Sequence, residues 1–149
     1  MTIRNYTSTM SPAKIAGKMQ EMLAGAGAEA VSLDYEDGDP VAITFRMAVH
    51  GRPMHFRLEP DPRAVLAAMK DDNDVPGNKC NEKQASRTAW KNKHDWLSVQ
   101  LAEVAAGQAR IEQLLLGYAV TNDGQTLYER LRDGRGLLEG QKRLEAGRE

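Results

Sequence analysis

With 149 residues and a formal net charge of −1, the chain is sized for one domain, or a small domain with a helical extension, and can bury a core without staples. That charge excludes an all-over electrostatic binder of nucleic acid or membrane and leaves only local patches. The single Cys80 excludes an intramolecular disulfide and fits a reducing cytosol, with Cys80 an ordinary thiol.

Residues 1–10 are polar and Thr-rich and read as an extended arm. The start, Met1-Thr2-Ile3-Arg4-Asn5-Tyr6, lacks the apolar core of a signal peptide, and no run reaches the roughly 18 apolar residues of a membrane span. The protein is therefore expected to stay in the compartment where it is made. Ser11-Pro12 is a cap-plus-proline helix start, followed by a stripe of Ile15, Met19, Met22 and Leu23 that runs out at Gly25-Ala26-Gly27. Val31, Leu33 and Tyr35 alternate as a first strand, and Asp37-Gly38-Asp39-Pro40 turns the chain. Val41, Ile43, Phe45, Met47 and Val49 alternate next, then Met54, Phe56 and Leu58 after His50-Gly51. A two-residue turn there predicts Met47 opposite Met54, Phe45 opposite Phe56 and Ile43 opposite Leu58 on one apolar face. The other face then carries Thr44, Arg46, His55 and Arg57 and is basic. Asp61-Pro62 starts a second helix with Val65, Leu66 and Met69.

Residues 71–83 have no periodicity and read as a polar, solvated, mobile loop. A long helix is expected from about Gln84 to Ala106 or beyond. Trp90, His94, Leu97, Leu101, Val104, Gln108, Ile111 and Leu115 fall at three- and four-residue steps, a seam like that of a coiled coil, with Gly107 a point where it kinks or ends. Asn122-Asp123-Gly124 is a turn, and Thr126 to Arg132 begins a short last helix with Leu127 and Leu131. The expected fold is α+β: helix, three-stranded antiparallel sheet, helix, then a long C-terminal helix and a short one. The expected organisation is an α-β-β-β-α core at 1–70, the polar loop at 71–83, a helical part at 84–133 packing on that core or on a partner, and a charged tail at 134–149.

Charge is segregated. Asp34, Glu36, Asp37 and Asp39 form an acidic turn with no base among them, whereas Lys79, Lys83, Arg87, Lys91 and Lys93 surround a single acid, Glu82. Paired guanidiniums on the basic sheet face suit an anion or nucleic acid. The alternatives are a merely solvated face, or one covered by C-terminal helices whose acids pair the arginines. Trp90 and Trp96 sit among bases, a pattern that suits a single strand, but Trp90 shares the seam with Leu97 and Leu101 and reads as core. Trp96 lies off the seam and is either a second core contact or an exposed partner-binding anchor. Adjacent helix residues diverge, so His94 and Asp95 do not by themselves make a dyad. No metal-ligand spacing, phosphate loop, nucleophile elbow or CxxC is present, and the Asp71-Asp72-Asn73-Asp74 run lacks the glycine and terminal glutamate of an EF-hand. The expectation is no catalysis, no metal and no cofactor.

Several of these segments occur together in a recognisable order: Tyr6-Thr7 in the arm, the capped helix with its Gly-rich end, Asp34-Tyr35, Val41-Ala42-Ile43-Thr44-Phe45, Ala89-Trp90 with Asp95-Trp96, Gln100-Leu101, and Gly124-Gln125-Thr126-Leu127-Tyr128. To about Leu131 the chain resembles a family of small uncharacterised proteins of tailed bacteriophages and prophages. The resemblance implies a phage accessory protein made in the bacterial cytoplasm, of a kind that inhibits or adapts host machinery or handles nucleic acid. It carries over no catalytic residue. The helix-three-strands-helix order is also similar to the double-stranded-RNA-binding domain, but that module's Lys-rich second helix start is here Asp61-Pro62-Arg63-Ala64.

Two functions are therefore expected. The first is binding to a host protein complex, an inhibitor or adaptor of host defence, through Trp96 and the acidic turn. The alternative is a nucleic-acid-binding module, for single strands or duplexes, using Arg46, His55, Arg57 and the bases of 79–93. A homodimer through Leu97, Leu101 and Val104 is a third possibility for the seam, and a small nucleotide between sheet and long helix a fourth use of the fold.

Overall fold

The computed structural model describes residues 2–134, so all but the first residue of the tail expected at 134–149 lies outside the described residues. Helix α1 spans Pro12–Gly25, and the Ser11 hydroxyl accepts the Lys14 N–H at 3.2 Å, as its cap position requires. The helix closes where Gly27 takes φ 99° and the Ala28 N–H returns to the Leu23 carbonyl, a conformation glycine adopts without strain. Ile15, Ala16, Met19 and Leu23 form its buried stripe.

Strands β1 (Ala30–Glu36), β2 (Asp39–Val49) and β3 (Arg52–Leu58) form an antiparallel sheet in the order β1-β2-β3. The β2–β3 register is the one the alternation predicts, with Phe45 opposite Phe56 and Arg46 opposite His55. The Phe45 and Phe56 rings stack at 5.3 Å. His50 (φ 51°) and Gly51 (φ 78°) are both left-handed, the turn geometry that matches strand twist. Two residues depart from the expected apolar face. Val41 is 37% exposed, and Tyr35 is 60% exposed. The cause is a bulge. Asp34 faces Ala42 but Tyr35 faces Pro40, which leaves Val41 as the extra residue and turns Pro40 and Ala42 inward instead.

Helix α2 (Pro62–Asp71) is capped by Asp61, whose carboxylate accepts the Ala64 N–H at 3.1 Å. The segment after it is a largely exposed connection with a few points of attachment. Val75 is buried and packs with Met69 and Ala85 in a second small core that Ile3 and Tyr6 help to close. The Asp72 carboxylate accepts the Ile3 N–H at 3.0 Å, and a 3-10 turn at Gly77–Lys79 leads onward.

Helix α3 (Glu82–Ala105) starts on Asn81, whose side chain accepts the Gln84 N–H. It ends before Gly107, which takes φ 76°. The apparent seam therefore divides. Trp90, Leu97 and Leu101 belong to α3 and are buried with α1 and the apolar sheet face. Ile111 and Leu115 belong to a separate helix, α4 (Ile111–Leu115), and Gln108 is exposed between them. Leu97 and Leu101 are buried within the chain, and Val104 is half-buried. The helical part thus packs on the 1–70 core.

A 3-10 turn at Leu116–Tyr118 returns the chain to β3, where Ala119 pairs with Phe56 and the Val120 N–H donates to the His55 carbonyl at 2.8 Å. Helix α5 (Leu127–Arg132) begins with a reciprocal cap: Thr126 accepts the Glu129 N–H and Glu129 accepts the Thr126 N–H. No helix among the described residues is long and apolar enough to cross a membrane.

Candidate functional site

Two surfaces come from the residues singled out by charge. The first is the free edge of the sheet. The β3 edge is partly closed by Ala119 and Val120, whereas among the described residues β1 pairs with β2 alone and its outer edge has no strand beside it. Asp37 (φ 51°) and Gly38 (φ 83°) make the β1–β2 turn in the left-handed region that Asp tolerates and Gly prefers. Asp34, Glu36, Asp37 and Asp39 are all exposed there, beside Tyr35. No ion pair to any of these four acids exists among the described residues.

The basic residues do not assemble into one patch. Arg46 leans toward β1 and pairs with Glu29 at 3.1 Å, with both side chains largely in solvent. Arg57 turns the other way. Its guanidinium meets Glu59 and Glu129, each at 3.0 Å, and donates to the Gly124 carbonyl at 2.8 Å. Coverage of the basic face by the C-terminal segment is thus what happens at Arg57, while His55 stays exposed and Thr44 half-buried. The Glu129 carboxylate is held below its usual range first by the Thr126 N–H, against an opposing effect of burial, and then by the Thr126 hydroxyl and Arg57. Lys79 is half-buried in its 3-10 turn, Lys83 is exposed, and Arg87 is half-buried with a buried Nε that finds no hydrogen-bond partner among the described residues.

His94 and Asp95 do meet, contrary to the expectation from helix geometry. Asp95 Oδ1 lies 2.9 Å from His94 Nδ1 and accepts Lys91 Nζ at 3.0 Å, and its Oδ2 accepts Asn5 Nδ2 at 3.0 Å. The short carboxylate lies where the turn before it and the N-terminal arm converge. Burial would raise the Asp95 pKa, but the hydrogen bonds from His94, Lys91 and Asn5, and the Lys91 charge, outweigh it and bring the pKa to about 2. The arrangement clamps the arm: Asn5 has φ 62°, Thr88 donates to its carbonyl, and the Gln84 amide donates to the carbonyls of Tyr6 and Ser8.

Lys93 has a different setting. Its ammonium lies 5.2 Å from the Trp96 ring centre and 5.5 Å from that of Tyr118, and the two rings are 5.2 Å apart. Trp96 is therefore half-buried under Lys93 and Tyr118, more a platform than a free anchor. Trp90 is fully within the core. The structure does bring Arg57 and Lys93 together, in an open cleft of about 500 Å³ at the β3 edge that Tyr118, Tyr128 and Arg132 also line. Those three were missed by charge and periodicity, although Tyr128 lies in a segment that carries the family resemblance. Among the described residues no group of three or more His, Cys, Asp or Glu is placed to hold a metal ion. No protein-family model, no curated protein and no solved structure matches the chain.

Proposed function

We propose that this chain is a non-enzymatic accessory protein of a tailed phage, acting in the cytoplasm of the bacterial host. It binds a host protein complex and inhibits or redirects it, defence machinery being the target class. The observation that carries the binding reading is the β1 edge, open among the described residues and bordered there by four exposed carboxylates without an ion pair and by an exposed tyrosine. An open edge offers alternate backbone N–H and C=O groups to an incoming strand. The acids select a partner segment rich in Lys or Arg and oppose pairing with a second acidic edge. The phage origin rests on the family resemblance alone.

The test is capture from bacterial lysate by the tagged full chain after nuclease treatment, run beside a variant carrying Asp34→Lys, Glu36→Lys and Asp39→Lys. Asp37 is left in place because its positive φ belongs to the turn. A defined protein retained by the natural chain and weakened at least about tenfold in the variant is the expected result, since like-charge juxtaposition costs several kcal/mol. Equal retention by both chains rules out the edge. The alternative, nucleic-acid binding, is favoured by one observation, the convergence of Arg57 and Lys93 beside two tyrosines; it predicts that every retained species disappears with nuclease.

A further inference from the structure

The cleft at the β3 edge has a chemistry of its own, independent of the acidic edge. Its volume of about 500 Å³ lies within the roughly 300–1,000 Å³ that small-molecule sites occupy. Its walls come from four places in the chain: Arg57 and Glu59 at the end of β3, Lys93 on α3, Tyr118 in the 3-10 turn, and Tyr128 with Arg132 on α5. Most of its charges are already matched. Arg57 is met by Glu59 and Glu129, and Arg132 Nε by Asp133. Among its cations the exception is Lys93. No carboxylate bonds its ammonium among the described residues, and it rests instead on the faces of Trp96 and Tyr118. A cation held by two aromatic rings at a cleft wall is available to an anion that enters. Tyr128, on the same lining, is 59% exposed, a large apolar ring left in water. Beside it Gly117 presents no side chain, and a Cβ at that position would lie 3.9 Å from the Tyr128 Cβ, in ordinary contact.

An exposed flat ring, one uncommitted ammonium and carboxylates within the same small space fit a flat, hydrogen-bonding ring that carries one anionic group. We propose that this cleft binds a single nucleoside monophosphate unit, its base stacked on Tyr128 and its phosphate held by Lys93. Arg132, through the guanidinium nitrogens that Asp133 leaves, is the second cation within the lining, and Glu59 and Asp61 face the exocyclic amino groups of the base. A single free ammonium matches one phosphate better than a chain of three. The unit has two sources, a free nucleotide or one residue of a single strand, and they share this chemistry.

The experiment is an NMR titration of the isotope-labelled full chain with AMP, GMP, CMP and UMP, with the corresponding nucleosides, and with a short mixed-sequence single-stranded oligonucleotide. The expected result is saturable shifts at the Trp96 indole N–H and at the amides of Lys93, Tyr118 and Tyr128, with a nucleotide bound about tenfold tighter than its nucleoside. Lys93→Gln should remove that phosphate preference. Tyr128→Ala should weaken nucleotide and nucleoside alike by about tenfold, the usual worth of a base–aromatic stack. Tyr128 is exposed, so its variant folds and keeps the test decisive if Lys93→Gln does not. Binding of the mononucleotide identifies a free ligand; binding of the oligonucleotide alone identifies a strand. Absence of saturable shifts at these residues with every ligand at millimolar concentration overturns the proposal, as does binding that both variants leave unchanged.

Discussion

The Asp95 carboxylate takes donors from a lysine one turn back, from its neighbour His94 and from Asn5, roughly ninety residues earlier in the chain. Its pKa of about 2 lies below the 3.8 of a free aspartate. A carboxylate with a lowered folded-state pKa stabilises the fold fully above its unfolded pKa and loses that contribution as pH falls through the folded value. The Asp95 contribution is therefore complete above about pH 5 and fades between about pH 4 and 2. Asp95→Asn should cost about 1 kcal/mol at neutral pH, the side chain being partly in water, where charge-assisted bonds are worth less than in a core. The difference between the two chains in chemical denaturation should close as the pH is lowered toward 2. Amide exchange at residues 3–8 should rise in the variant at pH 7, because the arm is what the carboxylate holds. None of this was legible in the sequence. The arm's polar anchors are its backbone carbonyls, the Ile3 N–H and the Asn5 amide, which carry no hydrophobic pattern, and the meeting of His94 with Asp95 depends on rotamers that spacing does not fix.

At the scale of elements, legibility follows periodicity. The hairpin could be read to the residue because a period of two and a two-residue turn leave one register that buries Ile43, Phe45, Phe56 and Leu58 together. Gly51→Ala tests that turn: with φ at 78° the added Cβ should cost about 1–2 kcal/mol by thermal or chemical melting. Val41 was misplaced because a bulge inserts one residue without changing the composition around it. The helical seam was legible as far as Gly107, where a kink or an end was open and the structure has an end; the same spacing continues beyond it into a separate helix. In the 71–83 connection the polar, exposed character is legible and the points of attachment are not. One buried valine and one carboxylate on a backbone N–H suffice to fasten it, and neither makes a pattern. In the candidate cleft, Arg57 and Lys93 were visible as charges, but Tyr118 and Tyr128 join them only through the return of the chain to β3.

For the molecule as a whole, α3 is the element on which the others converge, with α1 and the sheet against one part of it and α2 and the arm against another. Leu97 is fully buried there. Leu97→Ala should destabilise by about 2–5 kcal/mol, the range for a buried leucine that leaves a cavity. Sedimentation should show no change of mass, because the neighbours that Leu97 packs against belong to its own chain. A fall in mass would assign Leu97 to an interface between copies.

The central place of α3 also sets an order of events during synthesis. The strands pair with their sequence neighbours as soon as they are made, and α1 precedes them. But the later members of the core that holds Phe45 and Phe56, namely Trp90, Leu97 and Leu101 and then Leu115 and Ala119, leave the ribosome long after the hairpin. Until α3 has emerged, the nascent chain carries an apolar sheet face only half clothed, with both sheet edges bare. Its most aggregation-prone interval should therefore fall between release of Leu58 and release of Ala119, and chains stalled in that window should be the ones that chaperones hold.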